Sequence, residues 1–240
     1  MKKIITTTST FIIILLLLAG CRVAQDKTVS MLLPGSGGEI SGDVKPGDSI
    51  TTECSFTPDS TGFWLFNMLM SGDGGGQTIE VLDSDGLSIS TNSEFKTVYL
   101  EEGEPLTVKA YVFAYHAGSG ASYTLLVSPA EEIPGGGGDK RVSGKTSFSF
   151  TPDRSGQWTF STSDNGECTP YLLVRDSDNH GDFVHYASGE GNGSEGAADN
   201  NVLMILELRE GAPYMVEAGF YLDRSGGFTL TVSPGEVDSV

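Results

Sequence analysis

Three aromatic residues stand at every second position of one short segment, at Tyr111, Phe113 and Tyr115. The set that alternates with them is small and apolar, and it comprises Val108, Ala110, Val112 and Ala114. Because side chains along a strand point alternately to its two faces, burial of the small set would place the three rings on the outer face. Sugar rings and partner proteins both pack on exposed aromatic rings. We therefore predict a contact platform at these three residues.

The same segment has three other interpretations. The strand would be buried on both faces, would contact a neighbouring domain, or would contain a bulge that reverses its alternation. Later in the chain, the places comparable to Lys109, Tyr111 and Phe113 carry Glu217, Gly219 and Tyr221, so the fold itself does not require an aromatic row there.

Two acidic segments resemble calcium loops, since residues 83–86 read DSDG and residues 176–179 read DSDN. The candidate ligands are Asp83, Asp85, Asp176 and Asp178. Calcium takes six to eight oxygen ligands, so two carboxylates supply only part of a site. The favoured alternative is a hairpin turn, where Asp, Asn and Gly adopt the backbone angles that turns require. Calcium is the one cofactor that these residues suggest.

Two cysteines, Cys54 and Cys168, remain after the N-terminal segment. An exported compartment would permit a disulfide between them. A buried free thiol is the alternative, because Cys54 alternates in phase with Phe56.

Catalytic patterns are missing from the sequence. The histidines His116, His180 and His185 lack the spacing of metal ligands on a helix or on one strand face. The chain contains no Gly-x-Ser-x-Gly, His-Glu-x-x-His or phosphate-loop motif. We therefore predict that the protein is not an enzyme.

The platform lies within a duplicated architecture. Residues 55–66 (SFTPDSTGFWLF) and 149–160 (SFTPDRSGQWTF) are identical at eight of twelve positions. Three further blocks match, at 79–86 and 172–179, at 100–105 and 208–213, and at 123–129 and 228–234. Short alternating runs separated by turn residues predict strands, with Trp64, Phe66, Trp158 and Phe160 in the cores. The predicted fold is all-β, with two tandem antiparallel β-sandwiches from an internal duplication.

These matched blocks resemble the bacterial pre-peptidase C-terminal domain over roughly residues 45–130 and 140–234. The resemblance rests on FTPDxxGxWxF, VLDSDG, LxxGxP and YTLxV. It implies a jelly-roll-like sandwich that is not catalytic, and some members of that family bind carbohydrate, collagen or calcium. No protease domain precedes either copy in this sequence.

The first twenty residues read as an export signal. Lys2 and Lys3 precede an apolar run from Phe11 to Leu18, which is too short for a membrane span of about 20 residues. The run ends in LAGC at residues 18–21, which resembles the lipobox of bacterial lipoproteins. The resemblance implies cleavage before Cys21 and acylation of that cysteine, by which the protein would be held on a membrane. Arg22 follows, and no Asp stands there to indicate retention in an inner membrane, so we expect the outer membrane where the organism has one.

The predicted division of the chain is as follows. It comprises a signal peptide at 1–20, the acylated Cys21 and a flexible tether at 21–37, a first sandwich at 38–130, a Gly-rich linker at 131–139, a second sandwich at 140–234 and a tail at 235–240.

The charge of the chain restricts its partners. Of 240 residues, 32 are acidic and 14 are Lys or Arg, so the net charge is −18, and it becomes −20 when the two lysines of the signal are removed. A body this acidic repels nucleic acid, which excludes nucleic-acid binding as a function class.

Together these features predict a lipid-anchored protein of the cell envelope that acts as a non-catalytic binding or adhesion module. A polysaccharide is one expected partner. The alternatives are a structural or assembly component that docks on an envelope protein, and a spacer stabilised by calcium.

The lipid anchor is directly testable. We expect the wild-type protein to incorporate radiolabelled palmitate, and we expect Cys21→Ala to lose the label and to accumulate as the unprocessed precursor. Labelling in growing cells followed by fractionation measures both. A labelled Cys21→Ala protein of mature size would contradict the anchor.

Overall fold

The computed structural model describes residues 26–72, 74–93, 95–115, 119–166, 168–177, 185–189, 201–221 and 226–235. The first nine strands are β1 (Asp26–Leu32), β2 (Gly38–Val44), β3 (Ser49–Phe56), β4 (Gly62–Gly72), β5 (Gly74–Leu82), β6 (Ser88–Ser93), β7 (Phe95–Leu100), β8 (Leu106–Ala114) and β9 (Ala121–Pro129). The next nine are β10 (Glu131–Ile133), β11 (Gly138–Val142), β12 (Thr146–Phe150), β13 (Gly156–Ser163), β14 (Thr169–Asp176), β15 (His185–Ser188), β16 (Leu203–Leu208), β17 (Tyr214–Tyr221) and β18 (Phe228–Pro234).

Each set of nine strands forms one sandwich of two sheets. In the first sandwich a five-stranded sheet has the order β1-β3-β8-β5-β6, and a four-stranded sheet has the order β2-β9-β4-β7. The second sandwich repeats both orders, as β10-β12-β17-β14-β15 and β11-β18-β13-β16. The predicted pair of duplicated all-β sandwiches is confirmed. One feature differs from the prediction, because β1 pairs with β3, and β10 with β12, in parallel.

The repeated motif builds equivalent cores. Trp64 and Trp158 are fully buried, and each packs edge-on against a phenylalanine of the preceding strand. The ring centroids are 5.0 Å apart for Phe56 and Trp64 and 4.9 Å apart for Phe150 and Trp158. Aromatic rings of this size bury enough apolar surface to dominate a small core. The two tryptophans, with Phe66 and Phe160 on the same strand faces, are therefore core residues, as the sequence predicted.

The predicted tether at 21–37 is corrected for residues 26–37, which are part of the first sandwich. β1 pairs with β3 over seven residues, and Leu33 is buried. Six of the seven β1 residues are exposed and one is intermediate, so the strand has no alternating apolar face. An edge strand held by its backbone needs no apolar face, so hydrophobic periodicity could not reveal it. Residues 21–25 lie outside the described part of the chain.

The predicted linker at 131–139 is corrected in the same way. It contains β10, a tight turn and the start of β11, and Ile133 is fully buried. The Gly137 amide donates to the carbonyl of Pro134 at 2.8 Å, as the Gly37 amide does to Pro34 at 2.9 Å. Gly137 and Gly37 have φ values of 92° and 86°, which favour glycine. The glycines thus close a repeated turn and do not form a flexible connection.

The two sandwiches share a small apolar seam. Phe63 of β4, Leu173 of β14 and Met215 of β17 form one buried cluster, with Tyr99 and Ala130 packed against it. The Thr97 hydroxyl donates to the Ser147 hydroxyl across the seam at 2.9 Å. Ala130 alone separates β9 from β10, and its amide donates to the carbonyl of Phe63 at 2.8 Å. The four-stranded sheet of the first sandwich therefore packs on the five-stranded sheet of the second.

Cationic side chains border this seam. Lys145 lies 3.3 Å from a carboxylate oxygen of Glu217, and its Nζ is 5.0 Å from the ring centroid of Phe95. Burial lowers the pKa of Lys96, and the nearby charges of Arg175 and Lys145 lower that pKa further. The seam is thus partly desolvated along this edge.

The described residues include no helix long and apolar enough to cross a bilayer.

The seam predicts coupled unfolding. Met215→Asp buries a carboxylate among Phe63 and Leu173, at a cost on the order of 3 kcal/mol. Since Met215 points away from the core of its own sandwich, we expect each sandwich to remain folded while the two transitions separate in scanning calorimetry. The matched control is Met31→Asp on β1, where the side chain is exposed. An unchanged calorimetric profile for Met215→Asp would show that the seam contributes nothing.

Candidate ligand-binding groove

The strand β8 places its two sets of side chains on opposite faces. Val108, Ala110 and Val112 are fully buried in the first core, and Ala114 is nearly so. On the outer face Tyr111 is 41% exposed and Tyr115, which follows the strand, is 59% exposed, while Phe113 is half-buried. The structure therefore brings the three predicted platform residues together on the solvent side of the five-stranded sheet.

The rings form a row that turns through a corner. The centroids of Tyr111 and Phe113 are 6.2 Å apart, and their planes make an angle of 37°. The centroids of Phe113 and Tyr115 are 5.8 Å apart, and their planes are almost perpendicular at 88°. Phe113 and Tyr115 are therefore in edge-to-face contact, which holds the ring of Tyr115 against that of Phe113.

A glycine run beneath the row determines where Phe113 lies. A Cβ atom on Gly75 would stand 2.2 Å from the Phe113 ring, and one on Gly76 would stand 2.6 Å from it. The register between β5 and β8 shifts between Gly74 and Gly76, so this part of β5 is bulged. Only glycine lets an aromatic ring approach the backbone this closely. The run of three glycines at 74–76 was the signal for this contact, and the sequence prediction did not include it.

The rings line one side of a groove of about 300 Å³. Its remaining walls come from Asp26, Gly47, Asp48, Ser49 and Ala114. The Ser49 hydroxyl donates to the carboxylate of Asp26, which holds the start of β1 against β3. Among the described residues that line the groove, both charged groups are carboxylates. The arrangement combines apolar ring faces with hydrogen-bond acceptors at one end, which is how proteins orient small polar ligands.

The polar neighbours of the row are arranged across the sheet. Thr51 of β3 and Thr78 of β5 lie opposite Tyr111 in the two flanking strands. Further along β8, Lys109 lies 3.4 Å from a carboxylate oxygen of Glu53. This ion pair is more than a third exposed and contributes little to stability.

The equivalent face of the second sandwich is used differently. Gly219 stands where the first sandwich has Tyr111, and the ring of Tyr171 covers it. Tyr171 in turn donates from its hydroxyl to Glu217 at 3.2 Å. Met215 and Leu173 of the same face are buried in the seam. The second sandwich therefore packs this face against the first one, whereas the first sandwich leaves its own face open to solvent.

The first acidic segment that resembles a calcium loop, residues 83–86, is a turn, and the second is described only as far as Ser177. A carboxylate oxygen of Asp83 accepts from the amides of Asp85 at 3.0 Å and Leu87 at 2.8 Å, and Gly86 has a φ of 78°. The Asp176 carboxylate accepts from Arg209 at 2.9 Å. Asp178 lies outside the described residues, as do His116 and His180. No group of three or more His, Cys, Asp or Glu side chains among the described residues is arranged to hold a metal ion.

Comparisons with known proteins add only structural neighbours. No known protein-family model matches the chain, and no curated protein matches it. A periplasmic inhibitor of g-type lysozyme from Aeromonas hydrophila is similar at 13% identity and a TM-score of 0.32, over 43% of this chain and 98% of that one. A pre-peptidase C-terminal domain of the collagenase from Bacillus anthracis is similar at 18% identity and a TM-score of 0.29, over 45% and 98%.

A third neighbour also has two domains in tandem. The tandem CBM51 modules of a family 98 glycoside hydrolase from Streptococcus pneumoniae are similar at 9% identity and a TM-score of 0.27, over 82% of this chain and 84% of that one.

The two cysteines are free thiols, each buried in its own sandwich. The candidate disulfide between Cys54 and Cys168 is therefore not formed, and the alternative of a buried thiol describes both. Cys54 belongs to the first core, where it faces Phe56 and other apolar side chains. Burial raises the pKa of the Cys54 thiol to about 11.

This raised pKa predicts a loss of stability in alkali. Below pH 9 the thiol is protonated in both the folded and the unfolded chain, so in this range it causes no loss in the free energy of unfolding. Between pH 9 and 11 the unfolded chain ionises first, and the free energy of unfolding falls by at most about 3 kcal/mol. We expect Cys54→Ala to remove this part of the slope in urea unfolding measured from pH 8 to 11. Equal slopes for the variant and the wild type would contradict the assignment.

Proposed function

We propose that this protein is a non-catalytic binding module of the bacterial cell envelope whose groove at Tyr111, Phe113 and Tyr115 takes carbohydrate. The observation that carries the proposal is the row of aromatic rings on the open face of the first sandwich. A solvent-exposed row of this kind gives no benefit to folding, since burial of the same rings would stabilise the protein. Stacking of a sugar ring would recover that benefit on binding.

The groove has the acceptors that a sugar requires. Hydroxyl groups of a sugar donate hydrogen bonds, and the carboxylates of Asp26 and Asp48 lie at the groove wall. Ligand sites commonly combine an apolar surface with a few convergent polar groups. The volume of about 300 Å³ is at the lower end of the range for small-molecule sites, which fits one or two sugar units.

The proposal includes a lipid anchor at Cys21 after cleavage of residues 1–20, as the lipobox resemblance implies. The first strand begins at Asp26, which also lines the groove. Five residues of extended chain span at most about 18 Å. An acylated Cys21 would therefore hold the groove close to the membrane surface, within reach of a polysaccharide layered there. The resemblance to the pre-peptidase C-terminal domain is compatible with this binding role.

A second candidate function is a structural or assembly component that docks on another envelope protein. It is favoured by Leu203 and Ile205, which are both 57% exposed on the edge strand β16. Neighbouring apolar side chains on an exposed edge commonly mark protein contacts.

A glycan array probed with the full chain in mild detergent, with calcium and separately with EDTA, tests the proposed function. We expect a carbohydrate hit in both conditions. Tyr111→Ala combined with Tyr115→Ala should weaken that hit by about tenfold or more, because each exposed ring loses its contact with the sugar.

The matched control is Tyr186→Ala, which removes a similarly exposed tyrosine from the second sandwich. The melting temperatures of all variants are measured alongside, and little change is expected because these side chains are exposed. A hit that survives the double substitution would place the site elsewhere. An array without any hit would favour the assembly component.

A further inference from the structure

We propose that two copies of this chain associate through the edge strand β16, which pairs antiparallel with β16 of the second copy. The two four-stranded sheets would then join into one sheet of eight strands. This inference goes beyond the proposed function, because it concerns a different surface. β16 belongs to the second sandwich, whereas every residue that lines the groove belongs to the first.

β16 is the least protected edge strand in the described part of the chain. An edge strand offers backbone groups to other chains, and proteins protect such edges with charged side chains, bulges or short strands. The other seven edges have such a feature. β1, β2, β7, β10 and β11 contain charged residues, the pairing of β6 with β5 is bulged, and β15 has only four residues. β16 reads LMILEL, with five apolar residues and a single charge next to its end.

The duplication allows a direct comparison with β7, the equivalent edge of the first sandwich. Lys96 of β7 stands opposite Phe66, and Met204 of β16 stands opposite Phe160. Because Phe66 and Phe160 are equivalent core residues, Lys96 places a charge at a core-facing position of its edge strand. Pairing of a further strand with β7 would remove this charge from water, which is costly. Met204 has no charge, so β16 lacks this protection.

The outer face of β16 provides an apolar contact. Leu203 and Ile205 are each 57% exposed there. The equivalent residues of β7 lie at the seam, where Phe95 is close to Lys145 and Thr97 donates to Ser147. The apolar pair of β16 is therefore open to a second copy, whereas the matching pair of β7 already has a neighbour.

The backbone of β16 also has groups that face outwards. The carbonyl of Val202 accepts from the amide of Thr162 at 3.0 Å, and the amide of Val202 donates to the hydroxyl of Thr162 at 2.8 Å. Since backbone groups alternate in direction along an antiparallel strand, those of Leu203, Ile205 and Glu207 point away from β13. β13 is the only strand that pairs with β16 in the described part of the chain. These outward groups can form a ladder with another edge.

Pairing centred on Met204 makes this edge complementary to itself. Leu203 of each copy would stand opposite Ile205 of the other, so four apolar side chains would meet on the outer face. Glu207 would stand opposite Asn201, so no carboxylate would face another one. Pairing centred on Ile205 would instead place Leu203 opposite Glu207. One register therefore suits a two-fold symmetric contact, and the partner that it fits is a second copy of this chain.

The dimer is expected to be weak. A single strand pair is a small contact beside the roughly 1,600 Å² of a standard interface, so we expect dissociation on dilution. The net charge of −18 on each chain opposes association. Added salt screens this repulsion and should therefore strengthen the dimer.

Disulfide trapping of the full chain in mild detergent tests the pairing and its register. Leu203→Cys and Ile205→Cys are oxidised separately and as an equimolar mixture. We expect a linked dimer in the mixture and only background in either variant alone. Opposite residues have Cα atoms about 5.5 Å apart and diagonal ones about 7–8 Å, and a disulfide requires less than about 7 Å. Oxidised wild-type protein measures the background, in which the buried Cys54 and Cys168 are not expected to react.

A charge on the edge provides the second test. Ile205→Lys should weaken dimerisation by about tenfold or more in sedimentation velocity over a dilution series. The side chain is exposed, so the melting temperature should change little. The matched control is Leu126→Lys, because Leu126 is also exposed but lies on β9, which is paired on both sides. This control should dimerise like the wild type.

Each alternative outcome would overturn the proposal. Equal trapping of Ile205→Cys alone and of the mixture would show a different register. A dimer that survives Ile205→Lys would show a different surface. A monomer at every concentration and salt level would show that copies do not associate. The trapping is repeated in growing cells that make both variants, where disulfides to another protein without linked dimers would show that the edge binds a different partner.

Discussion

Each sandwich depends on the corner where its motif turns from one strand to the next. The indole of Trp64 donates to the carbonyl of Ser60 at 3.2 Å, and that of Trp158 donates to Arg154 at the same distance. The buried indole thus has its partner within its own turn, which lets a large aromatic ring enter the core without an unsatisfied donor. Phenylalanines from the same strand pair close around the ring. The motif repeats because this local unit is self-sufficient in both copies.

The corner also determines the position of distant strands. The amide of Gly103 donates to the carbonyl of Pro58 at 2.9 Å, and the amide of Glu102 donates to the hydroxyl of Thr61 at 3.0 Å. These bonds connect the turn before β8 to the corner between β3 and β4, so they align β8 with its neighbours. Gly211 and Pro152 repeat the first bond in the second copy. The groove is therefore built on a strand whose register is set at its opposite end, which keeps the three rings rigidly placed.

Much of this arrangement could be predicted because apolar burial leaves a period in the sequence. The alternation of small apolar and aromatic residues along β8 predicted its buried and outer faces correctly, and the repeated tryptophans predicted the two cores. The edge strands β1 and β10 were missed because backbone pairing needs no apolar pattern, and their glycine turns resemble flexible segments. The close approach of the Phe113 ring to Gly75 and Gly76 depends on a contact between strands that are distant in sequence, so the sequence pattern could not predict it. The acceptors at the groove wall come from the starts of β1 and β3, which only the sheet order brings beside β8.

The seam has a consequence for the length of the array. Its docking positions are occupied by Met215, Leu173 and Ser147 on one side and by Phe63 and Tyr99 on the other. The equivalent positions on the two free faces carry Thr107, Glu80 and Glu53, and Gln157 and Glu207. A third sandwich stacked in the same way would bury the carboxylates of Glu80 and Glu207 together with the ion pair of Glu53 and Lys109, and removing these charges from water is costly. Both outer faces therefore act as polar end caps. The same polar residues disfavour head-to-tail polymerisation of separate chains. The face that carries the aromatic row therefore stays accessible at one end of the two-sandwich stack.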